Sequence, residues 1–371
     1  MTVDEHFMDM ALELARGGRG GVEPNPMVGA VIVRDGVVIG KGYHRKFGGP
    51  HAEIEAIANA KSNGHDVRGA TLYVTLEPCC HFGKTPPCTV ALIAAGLAKV
   101  VAAMQDVDQR VAGNGLAKLK ATGIDVVCGV LQAQARQMLA AYITLRTKSR
   151  PWVICKWAQT SDGYLALPGR QGRWISNEFS RQKVHQMRGL CQGILVGINT
   201  VLADDPLLNN RSGKGGQPAR IVLDSHLRLP MDCELVKTAR QSSVIVAASR
   251  QALEANAAHA LALRDAGLEL LPLDATPQGL DLPALLRDLG RRQWTYLLVE
   301  GGASILKSFI SRQLADEIVI FRSQAKVLAK AEELKQLPRL DADALIAESG
   351  LEPAETLDIH GYTMMRFVRK M

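Results

Sequence analysis

Residues 1–146 alternate between helical and strand-like spacing of their apolar side chains. The spacing predicts a helix over about Asp4–Ala15 and a hairpin over 28–44, in which Asp35-Gly36 forms the turn between two apolar strands. A short helix over 51–64, a strand over 70–79, a helix opened by prolines over 85–96 and a strand over 99–104 follow. Such alternation predicts an α/β domain layered around one sheet.

The pattern changes after a predicted helix that ends near Arg146. Proline disfavours a helical conformation of the residue before it, and Arg150-Pro151 therefore marks a break, so we place a domain boundary between residues 146 and 147. Short β-branched runs then alternate with helical segments, at 151–158, 193–199, 219–225, 242–249 and 295–302. This predicts a second α/β domain, residues 147–371, with a mostly parallel sheet covered on both faces.

Composition and charge narrow the classes of protein that fit this pattern. Hydrophobic residues make up 47% and charged residues 22% of the chain, as in soluble globular proteins. No run approaches the roughly 18 apolar residues that cross a bilayer. The N-terminus lacks the basic start and cleavage site of a signal peptide, so we expect a cytoplasmic protein with no membrane partner. The net charge of +7 forms no basic stripe and aromatic residues are only 5%, so we expect no nucleic-acid partner.

Cysteine usage indicates reduced thiols. Seven cysteines, an odd number, make a poor disulfide framework for a chain of this length. We interpret Cys128, Cys155, Cys191 and Cys233 as ordinary buried thiols. The remaining cysteines are available to bind a metal.

The strongest chemical pattern in the chain is His51-Ala52-Glu53, followed by a Pro-Cys element at Cys79 and a further cysteine, Cys88. Zinc binds histidine nitrogen and thiolate sulfur, and a catalytic zinc keeps one of its four positions for water. His51, Cys79 and Cys88 would supply three ligands to one zinc ion. Glu53 is placed to move protons between the zinc-bound water and a departing amine, as in zinc deaminases.

Each feature of this pattern also has an ordinary structural explanation. A histidine and a glutamate spaced by one residue are common by chance, and a buried histidine on a helix is more often a core residue than a ligand. Cys80, beside Cys79, is also near enough to reach a metal. We favour the metal site because its three elements occur in order at fitting distances, and we favour Cys79 because it directly follows proline.

Further motifs give the chain a family resemblance. In a generic zinc deaminase two residues separate the cysteines, whereas eight separate Cys79 from Cys88. The first half also carries PNPMVG at 24–29 and GYH at 42–44. The second half carries, in order, SDG at 161–163, RWIS at 173–176, NTVLADDPLL at 199–208, IVLDS at 221–225 and VEGG at 299–302. Over about residues 5–320 the chain resembles the bifunctional pyrimidine deaminase/reductase family of riboflavin biosynthesis.

The resemblance implies a fold, two activities and two cofactors. It implies a cytidine-deaminase-like three-layer α/β/α domain followed by a dihydrofolate-reductase-like α/β domain. The first domain would remove the 2-amino group of 2,5-diamino-6-ribosylamino-4(3H)-pyrimidinone 5′-phosphate with one zinc ion per chain. The second would reduce the ribosyl side chain to ribityl with NADPH. Fused enzymes of this kind are commonly homo-oligomers, which we also expect here.

The resemblance also implies which residues form the two sites. The residues expected to line the pyrimidine nucleotide pocket around the zinc are Asn25, His44, His81, Lys84 and Thr85. Those expected to hold the substrate of the reductase are Lys156, Arg188, Leu208, Arg211 and Glu300. Those expected around the nicotinamide cofactor are Ala158, Trp174, Thr200, Asp204, Ser225, Gly301 and Gly302. The strand, glycine turn and helix at VEGGAS fit phosphate binding at a helix N-terminus, and fit a tight structural turn equally well.

One segment departs from the family pattern. After ADEIVIF at 315–321 the family carries an alanine-proline element and a glycine near the nicotinamide, whereas this chain has no proline or glycine before Pro338. This predicts either an altered reductase or a replaced loop. Two other interpretations therefore stay open: a deaminase of free nucleotides or tRNA with an accessory C-terminal domain, and a deaminase whose reductase-like domain is a non-catalytic scaffold.

Overall fold

The computed structural model describes residues 1–82, 86–167, 175–328 and 330–371. The chain divides into two compact units, one formed by Met1–Ser149 with Met371 and the other by Arg150–Lys370. Both units mix helices with a sheet, as the sequence predicts. Within the described ranges we find no helix with the length and apolar character needed to span a membrane.

The first unit contains six helices and five strands among its described residues. They are α1 (Val3–Arg16), β1 (Gly29–Arg34), β2 (Val37–Tyr43), α2 (Ala52–Ser62), β3 (Thr71–Val74), α3 (Cys88–Ala94), β4 (Lys99–Ala102), α4 (Asn114–Ala121), β5 (Asp125–Cys128), α5 (Gln132–Met138) and α6 (Ala140–Lys148). The strand order is β2-β1-β3-β4-β5, with β1 antiparallel to both its neighbours and β3, β4 and β5 parallel.

Side-chain alternation along the strands builds three layers in the first unit. On β1, Val31 packs with α1, α5 and α6, whereas Ile32 packs with α2, α3 and α4. Because successive residues of a strand point to opposite faces, one apolar strand can serve both layers. The turn between β1 and β2 is Asp35-Gly36 as predicted, and both residues have positive φ, which suits a two-residue hairpin.

The second unit is built around a large mixed sheet. Its described elements are β6 (Trp152–Gln159), α7 (Glu178–Leu190), β7 (Gly193–Gly197), α8 (Ile198–Asp204), β8 (Ala219–Leu223), α9 (Glu234–Lys237), β9 (Val244–Ser249), α10 (Arg250–Ala255), α11 (Ala257–Asp265), β10 (Glu269–Leu273), β11 (Ala275–Thr276), β12 (Gly279–Leu280), α12 (Leu282–Arg291), β13 (Tyr296–Val299), α13 (Ala303–Ser311), β14 (Glu317–Ser323), α14 (Ala331–Gln336), α15 (Ala342–Ser349), β15 (Glu352–Asp358) and β16 (Tyr362–Val368).

The large sheet is mostly parallel, as predicted, and is extended at one edge by a C-terminal hairpin. Its strand order is β10-β9-β8-β7-β13-β6-β14-β16-β15, in which only β16 and β15 run antiparallel to their neighbours. One face packs against α12, α13 and α15, and the other against α8, α9, α10 and α11. The carboxyl ends of β8, β7, β13 and β6 therefore lie side by side on one edge, where open α/β sheets bind ligands.

The segment that departs from the family pattern leaves the preceding strand intact. β14 pairs with β6 on one side and β16 on the other. Beyond it, the Ala325 carbonyl accepts a hydrogen bond from the Ser161 amide, and the Val327 amide donates one to Asp162. Leu340 donates to the Gly163 carbonyl. The described part of this segment, which includes α14, is thus anchored to the SDG turn.

One prediction about the cysteines is wrong. Cys155, Cys191 and Cys233 are buried as expected, but Cys128 is exposed. Cys128 ends β5, which lies at the edge of the first sheet and has partly or fully exposed side chains along its length. An edge strand has a neighbouring strand on one side only, which leaves its end open to solvent.

Candidate functional site

The N-terminus of α2 carries the first group of predicted site residues. His51 is the N-cap residue of α2, and Glu53 lies in its first turn. The positive end of the helix dipole lies at this position, and it favours anionic groups nearby. Glu53 is only 3% exposed, so its carboxyl group is almost entirely removed from solvent.

Two cysteines from other segments meet His51. His51 Nδ1 lies 3.2 Å from Cys88 Sγ and 3.6 Å from Cys79 Sγ, and the Cys88 amide donates to Cys79 Sγ over 3.3 Å. The three potential ligand atoms all lie within 4.8 Å of one another, in a group that does not include Cys80. Ligands of a tetrahedral zinc are about 3.5 Å apart when the metal bonds are 2.0–2.3 Å long. One nitrogen and two sulfurs in this arrangement therefore fit a zinc ion.

Burial and hydrogen bonding set the protonation states around this group. The hydrogen bond from the Cys88 side chain, aided by His51, lowers the pKa of Cys79, which favours the thiolate form of that side chain. Burial raises the pKa of the Glu53 carboxyl, and the nearby charge of His51 opposes part of that rise. A carboxyl group with a raised pKa beside a metal-binding group can both accept and return a proton near neutral pH.

A cavity of about 240 Å³ opens beside this group. Its walls include His51, Glu53 and Cys79, together with three of the residues that the resemblance assigns to the substrate pocket, Asn25, His44 and His81. The structure thus brings these six predicted residues to one cavity. Lys84 and Thr85, predicted for the same pocket, lie outside the described residues.

Asn25 and His44 hold each other in a fixed arrangement at this cavity. His44 Nδ1 donates to the Pro50 carbonyl over 2.9 Å, so Nε2 accepts from the Asn25 amide over 3.2 Å. Burial lowers the pKa of His44, which favours the neutral ring that this arrangement requires. His81 Nδ1 is buried and has no hydrogen-bond partner within the part of the chain that the structure describes. That nitrogen is available to a bound ligand.

The cavity also contains polar residues that the sequence analysis missed. They are Glu77, Asp106, Asp108, Arg110, Tyr142 and Arg146. Asp106 accepts a hydrogen bond from Tyr142 over 2.9 Å, and Asp108 accepts one from the Arg110 side chain over 2.9 Å. The run QDVDQR at 105–110 signals a charged loop after β4, but nothing in its spacing tells which side chains face the cavity.

In the second unit, three of the predicted substrate residues form an ion cluster. Glu300 lies directly after β13, and its carboxylate accepts from Arg188 over 2.8 and 3.1 Å and from Lys156 over 3.3 Å. Burial alone would raise the pKa of Glu300, but the charges of Lys156 and Arg188 lower it to about 2. Two cations thus surround one carboxylate, and the cluster keeps a net positive charge.

The loop between α8 and β8 carries the other two predicted substrate residues. Arg188 also donates to the Asn209 carbonyl over 3.1 Å, which ties this loop to the cluster. Arg211 contacts His185 through both its amide and its side chain, each over 3.3 Å. Leu208 is buried in the apolar core on the sheet face that α8 covers, so its side chain points into that core.

The predicted cofactor residues lie along the edge formed by neighbouring strand ends. Ala158 is near the end of β6, Ser225 follows β8, and the turn at Gly301 and Gly302 joins β13 to α13. Thr200 and Asp204 lie on α8, directly after β7. Trp174 lies outside the described residues.

The geometry at this edge fits a dinucleotide. Gly302 is the N-cap residue of α13, so the first amides of that helix point toward the edge. A Cβ atom placed on Gly302 would have Thr200 Oγ1 as its nearest neighbour among the described residues, at 3.8 Å. An open backbone turn at a helix N-terminus can accept a phosphate group of NADPH.

Comparison with known proteins assigns both halves of the chain. Residues 1–104 match the cytidine and deoxycytidylate deaminase zinc-binding region, and residues 151–325 match the RibD C-terminal domain. The riboflavin biosynthesis protein RibD of Aquifex aeolicus is 39% identical over 320 residues, which is 86% of this chain and 86% of that protein. The chain belongs to the RibD family. The RibD protein of Escherichia coli is 36% identical and covers 92% of this chain and 94% of its own length.

Solved structures of the RibD family agree with this assignment. A diaminohydroxyphosphoribosylaminopyrimidine deaminase/5-amino-6-(5-phosphoribosylamino)uracil reductase of Thermotoga maritima superposes with a TM-score of 0.80 at 34% identity, covering 99% of this chain and 98% of that chain. Acinetobacter baumannii RibD gives a TM-score of 0.80 at 32% identity, with the same coverage. These similarities confirm the predicted fold class of both domains.

As a member of the RibD family, the protein is a bifunctional deaminase and reductase of riboflavin biosynthesis that acts on a small molecule. Zinc is the cofactor of its deaminase domain and NADPH that of its reductase domain. The predicted enzyme class and cofactors are therefore confirmed. The alternative of a nucleotide or tRNA deaminase with an accessory C-terminal domain is wrong, because the second half matches the RibD C-terminal domain and the chain belongs to the RibD family.

Proposed function

We propose that the cavity beside His51 is the deaminase site and that Glu53 is its catalytic acid and base. The observation that carries this proposal is the grouping of His51 Nδ1, Cys79 Sγ and Cys88 Sγ next to the buried Glu53 carboxyl. When bound by these three ligands, zinc supplies Lewis-acid activation of water. Glu53 would take a proton from the attacking water as its oxygen bonds to C2 of the pyrimidine, and would return protons to the ring nitrogen and the 2-amino group as the C2–N bond breaks and ammonia leaves.

The substrate proposed for this site is 2,5-diamino-6-ribosylamino-4(3H)-pyrimidinone 5′-phosphate. Asn25 and His44 form a fixed hydrogen-bonded wall against which a planar pyrimidine can be oriented. His81 Nδ1 has no hydrogen-bond partner among the described residues, and Arg110 brings a cation to the cavity wall. We assign Lys84 and Thr85 to the same pocket on the family resemblance alone.

We propose that the ion cluster in the second unit holds the ribosyl substrate for reduction. NADPH, when bound, supplies the hydride. Lys156 and Arg188 leave net positive charge around Glu300, which suits a phosphorylated substrate, and Arg211 with the backbone of Leu208 would complete the wall. Most of the catalysis would come from holding the two ligands in a fixed relative position, rather than from a covalent bond between enzyme and substrate. The cofactor side would comprise Ala158, Trp174, Thr200, Asp204, Ser225, Gly301 and Gly302.

We also propose that the enzyme is a cytoplasmic homo-oligomer. All seven cysteines are unpaired in the structure, which fits a reducing compartment. Size-exclusion chromatography with light scattering measures the oligomeric state, and a monomer at micromolar concentration would contradict this part of the proposal.

Product analysis tests the two assignments together. The enzyme is incubated with the diaminopyrimidine nucleotide, with and without NADPH, and the products are identified by mass spectrometry. We expect the deaminated nucleotide without NADPH and its ribityl derivative with NADPH. A reductase-like domain that serves only as a scaffold would give the deaminated nucleotide in both reactions and no NADPH oxidation.

A further inference from the structure

The buried carboxylate of Glu77 accepts four backbone hydrogen bonds from a single distant loop. Its Oε2 accepts from the amides of Asp106 over 3.1 Å and Gly113 over 2.8 Å. Its Oε1 accepts from the amides of Gly115 over 2.8 Å and Leu116 over 3.2 Å. Glu77 is only 4% exposed, and bonds from amides to a buried ionised carboxylate are among the stronger hydrogen bonds in proteins.

These bonds join the metal-binding segment to a loop that lines the same cavity. Glu77 lies two residues before Cys79, on the segment that follows β3. The loop that it binds runs from the end of β4 to the first turn of α4. Gly115 and Leu116 lie in that first turn, where amides have no partner within the helix, so Glu77 satisfies both.

The contact is too close for any side chain at position 115. A Cβ atom on Gly115 would lie 2.1 Å from the Pro78 carbonyl oxygen and 3.0 Å from Glu77 Oε1. The helix therefore approaches the backbone beside Cys79 only because residue 115 is glycine. Two independent features, a carboxylate and a glycine, fix the same contact.

The loop held by Glu77 supplies one wall of the deaminase cavity. Asp106, Asp108, Arg110 and Val111 all line the cavity, and Asp106 is itself bonded to Tyr142 from α6. Asp106 is thus held from both sides, through its amide by Glu77 and through its carboxylate by Tyr142.

We propose that Glu77 is a positioning residue of the deaminase, which fixes the 106–116 loop against the metal-binding segment so that its polar side chains meet the nucleotide. The proposal rests on the assignment of this cavity as the nucleotide site. Among the described residues, the hydrogen bonds of the Glu77 carboxylate all go to backbone amides of this loop. Its effect is exerted on substrate binding through the loop.

The substitution Glu77→Gln tests this role because it keeps the size of the side chain but replaces one acceptor oxygen with a donor. We expect KM for the diaminopyrimidine nucleotide to rise about 10- to 100-fold, because the displaced loop would hold its binding groups away from the substrate. The value of kcat and the content of one zinc per chain should remain within twofold. Reduction of the deaminated nucleotide by the same chain checks that the protein is intact.

Gly115→Ala provides a second route to the same displacement without changing any charge, and it should raise KM in the same way. The matched control is Tyr73→Phe, which removes a hydrogen bond to Asp4 in the same unit, outside the cavity, and should leave KM unchanged. An unchanged KM in both Glu77→Gln and Gly115→Ala would overturn the proposal. A fall in kcat that matches a loss of zinc would also overturn it. If Glu53→Gln, assayed alongside, kept full deaminase activity, the assignment of the cavity itself would be wrong.

Discussion

Glu53 combines deep burial with a position beside three potential metal ligands. A carboxyl group in such a place carries a raised pKa because the charged form loses its hydration. A raised pKa suits a group that has to accept a proton and then return it near neutral pH. Its position in the first turn of α2, two residues after His51, follows directly from the HAE motif.

The first prediction concerns this carboxyl group. Glu53→Gln preserves the size of the side chain but cannot take up a proton, so we expect the deamination rate to fall by about 10²- to 10⁴-fold. Zinc content should stay at one ion per chain, since Glu53 is not a ligand. Ammonia release measures the rate, and NADPH oxidation with the deaminated nucleotide serves as an internal control. Full ammonia release would remove Glu53 from the mechanism.

A second prediction concerns the ion cluster of Glu300. Glu300→Gln leaves Lys156 and Arg188 without their carboxylate, so we expect the free energy of unfolding of the second unit to fall by roughly 3–5 kcal/mol at pH 7. All four tryptophans lie in this unit, so urea unfolding followed by tryptophan fluorescence reports on it alone.

The pH dependence of this effect has a definite sign. The folded-state pKa of Glu300 is lowered to about 2 from its usual 4.5. Its contribution to stability is therefore fully present above pH 4.5 and is lost as the pH falls toward 2. The stability difference between wild type and Glu300→Gln should be constant from pH 7 to 5 and shrink between pH 4.5 and 3. A difference that stays constant down to pH 3 would contradict the assigned ion cluster.

The candidate residues that lie in short sequence motifs could be recognised from the sequence. Those that line the cavity only because distant segments meet there could not. His51, Glu53, Cys79 and Cys88 are recognisable because metal chemistry restricts both residue type and order. Nothing comparable marks Glu77, whose four partners lie about 30 to 40 residues further along the chain. Such contacts depend on which loops meet in space, and a single sequence does not contain that information.

At the scale of elements, the junction of β13 and α13 sets the geometry of the proposed cofactor edge. A Cβ atom on Gly301 would lie 2.6 Å from Ile305 Cβ and 2.7 Å from Ile305 Cγ2. A Cβ atom on Gly197, at the end of β7, would lie 2.9 Å from another atom of the same isoleucine. The N-terminus of α13 can therefore sit close to both strand ends only while these positions remain glycine.

The third prediction follows from this close packing. Gly301→Ala should displace the N-terminus of α13 and weaken NADPH binding by about tenfold or more, because phosphate contacts with helix amides are sensitive to position. Isothermal titration calorimetry of NADPH binding measures the change. Gly216→Ala is the matched control, since a Cβ atom there meets no described atom within 4 Å. Equal NADPH affinity in the two variants would contradict the proposed cofactor edge.

The elements themselves were largely predictable, with clear exceptions at the end of the chain. Buried strands such as β7 and β9 are short runs of mostly apolar residues, and such runs are easily recognised. By contrast, β15 is exposed along its whole length, so its sequence EPAETLD carries no burial pattern. It is a strand because β16 offers an edge to pair with, and that is a tertiary effect.

At the scale of the whole molecule, two compact units carry two separate chemistries. The proposed zinc ligands and Glu53 all belong to the first unit, whereas the ion cluster and the strand ends proposed for NADPH all belong to the second. Each unit has its own apolar cores on both faces of its own sheet. The two activities should therefore respond separately to treatments that act on one site.

Removal of the metal provides the fourth prediction. Incubation with a zinc chelator followed by desalting should abolish ammonia release from the diaminopyrimidine nucleotide. Reduction of the deaminated nucleotide by NADPH should continue at the original rate, because the proposed zinc ligands all lie in the first unit. Both rates are measured on one preparation, and restoring zinc should restore deamination. Loss of both activities together would contradict separate sites.

The most direct test of the central claim is the ligand set of the bound zinc, measured by X-ray absorption spectroscopy on the purified enzyme. We expect two sulfur ligands at about 2.3 Å and two nitrogen or oxygen ligands at about 2.0–2.1 Å. The spectrum should be the same for Cys80→Ser, and one sulfur ligand should be lost in Cys88→Ser. A zinc with three sulfur ligands, or with none, would contradict the assignment of His51, Cys79 and Cys88.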